Sequence, residues 1–253
     1  AAFFIISDLT GAAVKFYVAC IILQRFVLDA YGVPFAVTVP ALMLLIWLYT
    51  HKGGIKTLVW TDTFQTLCML VALVLIIVSV AGNLGLGFGE AVTTVAASPM
   101  SRIFMFDDWM SPHNFWKQFV SGIFIVVVMT GLNQNMMQKN LTCKTLREAQ
   151  KDMCTYGFAF VPVNILFMSL GVLLVMLVNK EGLQLPQNPD DLLPMFAATG
   201  QLGSVVTVLF IIGVVAASAS TVDSSLTALT TSFCVDLKEK PDDERLRRRV
   251  HAG

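Results

Sequence analysis

Five long stretches of this chain contain no Asp, Glu, Lys or Arg. They lie between Asp29 and Lys52, Asp62 and Glu90, Lys117 and Lys139, Asp152 and Lys180, and Asp191 and Asp223, and they run from 21 to 31 residues. About 20 apolar residues cross the hydrocarbon core of a bilayer as a helix. Within that core every backbone N–H and C=O must be paired inside the chain, which a helix achieves and an open strand does not. The pattern predicts an all-α, polytopic membrane bundle. Composition agrees, with 13% charged residues and a mean hydropathy of +0.72, where a soluble domain carries roughly one-quarter charge. Lys plus Arg and Asp plus Glu are 17 each, so there is no basic excess to hold nucleic acid.

Six membrane helices are expected, at about 1–28, 34–49, 58–81, 116–137, 153–178 and 203–235, followed by a charged tail at 237–253. Loop charge orients them. The connections near 24–34, 82–117 and 179–203 hold four basic residues, and the alternate side holds twelve. Cytoplasmic loops are enriched in Lys and Arg, so the chain starts inside and its tail is cytoplasmic. The long external loop is glycine-rich and then aromatic (Phe104, Phe106, Trp109, Phe115), which suits anchoring at the lipid surface and has room for a short interfacial helix. Residues 189–199 read as a capped short helix with Asp in its first turn. The five cysteines are scattered with no metal-ligand spacing. The chain opens in an apolar stretch without Met and ends within a polar one, so it is read as an internal piece of a longer protein.

Polar groups inside a membrane helix are costly, and they usually face a protein interior or a water-filled path. The sixth helix carries an unusual number of them, in Ala217-Ser218-Ala219-Ser220-Thr221-Val222-Asp223-Ser224. Ala217, Ser220, Thr221 and Ser224 share one face at 3.6 residues per turn. Hydroxyl and carbonyl oxygens there suit a small hard cation, with Asp223 at the edge of the face. The competing reading is a small-residue packing seam. Asp62, at the cytoplasmic start of the third helix, is either a carboxylate favoured by the helix dipole or a second contributor. Gly131-Leu132-Asn133-Gln134-Asn135 suggests either a helix broken at membrane depth, where protein or a cavity satisfies the freed backbone, or amides that already lie at the cytoplasmic interface. Asp8 and Lys15 lie seven apart on one face of the first helix, as an internal ion pair, a lumen contact, or an interfacial carboxylate with a snorkelling lysine.

These motifs, in this order, resemble the sodium–solute symporter family. Gly53-Gly54-Ile55 through Trp60-Thr61-Asp62 to Gln65 is similar to its GG(L/I)xxVxWTDxxQ signature, with Leu58 in the valine position. Gly131 to Lys139 resembles its xDQxxxQR segment, with Asn133 for the commoner Asp before Gln134. Gly213 to Asp236 resembles the AAxxSSxDSxLxxxSTxxxxD helix. The resemblance implies the leucine-transporter fold, a ten-helix core built as a 5+5 inverted repeat around a midplane site, of which these would be helices three to eight. It implies a bound sodium ion and a small-molecule solute co-transported across the cell membrane. By the same resemblance, the Ala217 carbonyl, Ser220 and Thr221 are main sodium-site positions. Asp62, Asp223 and Ser224 match a second sodium site found in some members, Asp223 standing where others have Ser. Asn133 and Gln134 match a region near the substrate in sugar carriers.

Two readings from other classes stand beside this one. Asp62 and Asp223 could form an aspartyl-protease dyad sharing a proton, although neither has a Gly-Xaa-Gly-Asp setting. A passive channel is compatible with a Ser/Thr-lined helix. A metalloprotease is disfavoured, because no HExxH occurs.

Overall fold

In the computed structural model, residues 2–50, 55–141, 143–238 and 250 are described. Gly53 and Gly54 of the first motif, and residues 239–249 and 251–253 of the charged tail, lie outside the described residues. The described chain is helical and contains no strand. Nine α-helices are described: α1 (Ala2–Leu23), α2 (Phe35–Thr50), α3 (Ile55–Leu84), α4 (Phe88–Ala97), α5 (Phe115–Val126), α6 (Gln134–Leu141), α7 (Leu146–Glu181), α8 (Leu192–Ala197) and α9 (Ser204–Thr231). Four of these regions are long and apolar enough to cross a membrane: Ala2–Tyr31, Asp62–Leu84, Leu146–Glu181 and Ser204–Leu237. Phe35–Leu48 and Phe115–Gly131 are shorter apolar helices. A helix of 16 residues such as α2 rises about 24 Å, and it meets a thicker bilayer by local thinning or snorkelling flanks.

Several helices end in wider turns. A π segment, Gln24–Leu28, extends α1, a second, Val127–Gly131, extends α5, and a third, Ser232–Leu237, extends α9. After the second, the chain breaks at Leu132 and Asn133 before α6 begins. The fourth apolar stretch is therefore two helices, as the glycine and three amides suggest. In contrast, α7 starts seven residues before the apolar run expected at 153. Thr145 caps it by accepting from the Glu148 N–H at 3.2 Å, and Glu148 accepts from the Lys144 N–H at 3.1 Å. Thr145 thus caps the helix, and the Glu148 side chain reaches back one residue beyond the cap, where a full Thr-x-x-Glu box would close on the threonine's own N–H.

The core holds α9 between α1 and α3, with α7 beyond α3. Leu73, Ile76 and Val80 of α3 pack on Leu170, Leu173 and Leu177 of α7, and Phe196 of α8 closes one end with no exposed surface. A smaller cluster joins Phe16 and Cys20 of α1 to Leu42 and Ile46 of α2 and Ala219 of α9. Lipid tails are as apolar as leucine, so close packing at small residues, rather than escape from water, holds such helices together. Gly213 of α9 faces Met69 of α3, and a Cβ there would make an ordinary contact at 3.6 Å with Met69 Cγ.

Arg25, after α1, pairs with Asp191, before α8, at 2.5 Å, and Lys180 Nζ donates to the Asn83 carbonyl at 2.7 Å. The ends of α1, α3 and α7 thus share one side of the bundle, the side that loop charge predicts to be external. Asp190 and Asp191 stand in the first turn leading into α8, as expected, and the Asp191 side chain makes no cap bond and goes to Arg25. In the long loop, α4 and an aromatic cluster occupy the anticipated interfacial region. Phe104 packs on Phe115 at 5.3 Å and Phe106 on Phe115 at 5.1 Å between ring centroids.

Candidate functional site

Hydroxyls within a helix often bond back to their own backbone, and several on α9 do so. Ser218 Oγ donates to the Val215 carbonyl at 2.7 Å, Thr221 Oγ1 to Ala217 at 3.0 Å and Thr227 Oγ1 to Asp223 at 2.9 Å. Ser220 breaks the rule. Its Oγ reaches across to α3 and donates to Asp62 Oδ1 at 2.7 Å, joining positions 158 residues apart. One turn further along α3, Gln65 makes the next link. With its amide nitrogen facing a carbonyl and its oxygen an N–H, it donates to Ala216 O at 3.0 Å and accepts from Ala217 N at 3.1 Å. Met69 then lies against Gly213. Asp62, Gln65 and Met69 recur at i, i+3 and i+7, so one stripe of α3 is bonded to one stripe of an antiparallel α9.

This arrangement gathers Ser220, Thr221, the Ala217 carbonyl and Asp62 around one turn of α9. Asp223 is 3% exposed and Ser224 half-buried in the following turn. Every donor atom in the set is oxygen. Ser220 and Thr221 have committed their protons to Asp62 and to Ala217, so their remaining lone pairs point chemically toward a cation. The donor set fits a hard monovalent ion in the sense that softer metals prefer nitrogen or sulfur.

A cavity of about 320 Å³ opens beside this turn. Its walls come from α1, α3, α7, α8 and α9, including Lys15, Met69, Phe167, Leu193, Ala217 and Thr221. The volume falls in the range of small-molecule sites, which are mostly apolar with a few placed polar groups. Lys15 is thus a cavity residue, the lumen contact among its three readings, and no ion pair links it to Asp8 among the described residues. Asn133 and Gln134 sit at the break before α6, a helix that packs on α9; neither lines this cavity. Gln65 carried no assigned role from sequence, although its three-residue spacing from Asp62 was the available signal.

Comparison with known proteins shows the family and the fold. The sodium/sialic acid symporter SiaT of Proteus mirabilis is 24% identical over 96% of this chain and 49% of its own length. The sodium-dependent multivitamin transporter of Oryctolagus cuniculus is 28% identical over 79% of this chain and 32% of its own. The human sodium-coupled monocarboxylate transporter 2 is 33% identical over 40% of this chain and 16% of its own. A solved Na+-coupled sialic acid symporter, substrate-bound and outward-open, superposes with a TM-score of 0.82 at 22% identity, over 98% of this chain and 53% of that one. The two share a fold. The chain spans about half or less of the length of these relatives, which are membrane transporters and not enzymes. The sequence profile named "Sodium:solute symporter family" matches residues 3–247, nearly end to end. This multi-pass membrane chain belongs to the sodium:solute symporter family.

Proposed function

We propose that the protein containing this chain is a sodium-coupled symporter that moves a small organic solute by alternating access. The observation that carries the reading is the bond from Ser220 Oγ to Asp62 Oδ1, beside Thr221 and the Ala217 carbonyl. In this reading Ala217, Ser220 and Thr221 contribute to the main sodium site. Asp62, Asp223 and Ser224 contribute to a second, and Asn133 and Gln134 contact solute in part of the cycle. The chain supplies the third to eighth helices of a ten-helix inverted-repeat core, as one part of a transporter domain. Relatives from Proteus mirabilis and Aliivibrio fischeri support a bacterial inner membrane as its location.

Coupling follows from geometry. Asp62 lies on α3 and its partner on α9, so an ion that draws on both helices stabilises the arrangement in which they are close. A ligand shifts a conformational equilibrium only by its differential affinity for the two states. The ion therefore favours one access state, and the solute then selects the next. The test is sodium-dependent uptake by the complete transporter carrying Ser220→Ala or Thr221→Ala. The half-saturating sodium concentration should rise roughly tenfold in each, the scale of one lost charge-assisted contact. Unchanged sodium half-saturation in both variants overturns the assignment.

A further inference from the structure

The first half of α7 sorts its residues by face. Arg147, Lys151, Phe158, Val161, Ile165 and Met168 follow one another at steps of three, four or seven, so they form one stripe of the helix. All six are exposed, Phe158 at 81% and Met168 at 66%. The stripe lies on the side of α7 away from Leu170, Leu174 and Leu177, which pack into the core. The next stripe round has a different character: Glu148 and Asp152, then Thr155 and Ala159. Small residues let another helix approach closely, whereas large apolar side chains meet lipid tails without penalty, because the tails are as apolar as leucine. The row ending at Met168 is thus a lipid-facing row with two cations at its head.

Those cations are placed at a local cost. Like charges at i, i+4 repel on a helix surface, and both oppose the dipole at the start of α7. Among the described residues neither makes an ion pair, although Glu148 stands three residues before Lys151. The rule that orients membrane proteins accounts for how many basic residues this side carries. It does not account for two of them heading the apolar row. Their stems can lie along apolar surface while the charged ends reach the headgroups. From Lys151 to Ile165 the helix rises about 21 Å, more than the roughly 15 Å that one leaflet adds to the hydrocarbon core. An acyl chain starting at the lysine therefore has apolar side chains along its length.

We infer that this stripe binds an anionic phospholipid of the leaflet that loop charge predicts to be cytoplasmic. Arg147 and Lys151 hold the phosphate, and Phe158, Val161 and Ile165 carry an acyl chain. The guanidinium can take two phosphate oxygens at once, and the ammonium adds a point charge. Glu148 and Asp152, about 100° round the helix, repel a headgroup that leaves the stripe and so fix the lipid's angular position. The surface is separate from the contact between Asp62 and Ser220, and it does not rest on the sodium reading.

The test uses the complete protein in detergent, with dioleoylphosphatidylglycerol or dioleoylphosphatidylcholine added, and native mass spectrometry to measure retained lipid. Wild type should prefer the anionic lipid by about tenfold or more. Arg147→Gln and Lys151→Gln should each lower that preference about fivefold, and the exchange of Arg147→Lys with Lys151→Arg should keep it. Lys144→Gln removes the same charge from the same connection but lies outside the helix, so it should leave the preference unchanged. Phosphatidylglycerol carrying a diazirine in its acyl chain should crosslink to residues 158–168. Equal retention of the two lipids by wild type overturns the inference, as does an equal loss in Lys144→Gln and Lys151→Gln or a loss in the charge-conserving exchange. Crosslinks that miss residues 158–168 overturn it too, because protein and not lipid then covers the row.

Discussion

Asp62 shows how far one side chain's meaning depends on its partner. At the start of an apolar helix, a carboxylate needs no more explanation than the dipole of the helix that follows. Once its Oδ1 accepts from Ser220 on a helix 158 residues away, it belongs to an interhelical contact. Its charge also distinguishes it from the neutral oxygens nearby. Asp62→Asn keeps an acceptor for Ser220 and removes the charge, so it separates the two roles. The expected outcome is a folded transporter whose half-saturating sodium concentration rises about tenfold or more, measured by uptake across a sodium titration. Unaltered sodium sensitivity in that variant would leave Asp62 a purely structural link. The oxygen stripe on α9 was legible from spacing alone. Gln65 was not, because its two bonds are to backbone atoms of α9, and a backbone group leaves no trace in residue identity.

At the scale of elements, the sequence located helices through their apolar runs and so found the bilayer better than it found the helices. Charged residues 146–152 were assigned to a loop, yet they form the first two turns of α7. Charge marks where hydrocarbon ends, and a helix continues beyond it while its cap is sound. The signal missed was Thr145-Leu146-Arg147-Glu148, whose threonine caps the helix and whose glutamate reaches back to the Lys144 N–H. The break after Gly131 was legible, because three amides beside a glycine conflict with an unbroken apolar span. The pair Arg25–Asp191 was not, since no local pattern joins residues 166 apart. That pair straps the end of α1 to α8, above Ile22 and Leu193 of the cavity wall. Its side chains are 59% and 19% exposed, so it contributes only about 0.2–1 kcal/mol. Reversing either charge alone, Arg25→Asp or Asp191→Arg, should therefore change the solute concentration for half-maximal uptake by up to about fivefold. The double reversal should restore it. Equal effects in the single and double variants would argue against a direct link.

For the whole molecule, orientation is the property most readily checked. The basic residues predict that the connection between α6 and α7 is cytoplasmic and the one between α4 and α5 external. Cys143, in the former connection, is half-buried and not in a disulfide. In intact cells a membrane-impermeant maleimide should label an introduced Ser111→Cys, in a variant whose native cysteines other than Cys143 are replaced. Cys143 should react only after permeabilisation; the reverse pattern would invert the topology. Within that frame α9 differs from the other long helices. No residue from Gly213 to Thr231 is exposed, whereas α7 leaves Phe158, Phe160 and Met168 uncovered. Successive residues there answer to different neighbours: Ala217 to the cavity, Ala219 to α1 and α2, Ser220 to α3. A stretch of helix with no exposed position leaves substitutions little room to drift. Change in this segment must then come as paired exchange with a contacting helix, and descendants with new solutes would be expected to vary the cavity's outer walls while this axle stays fixed.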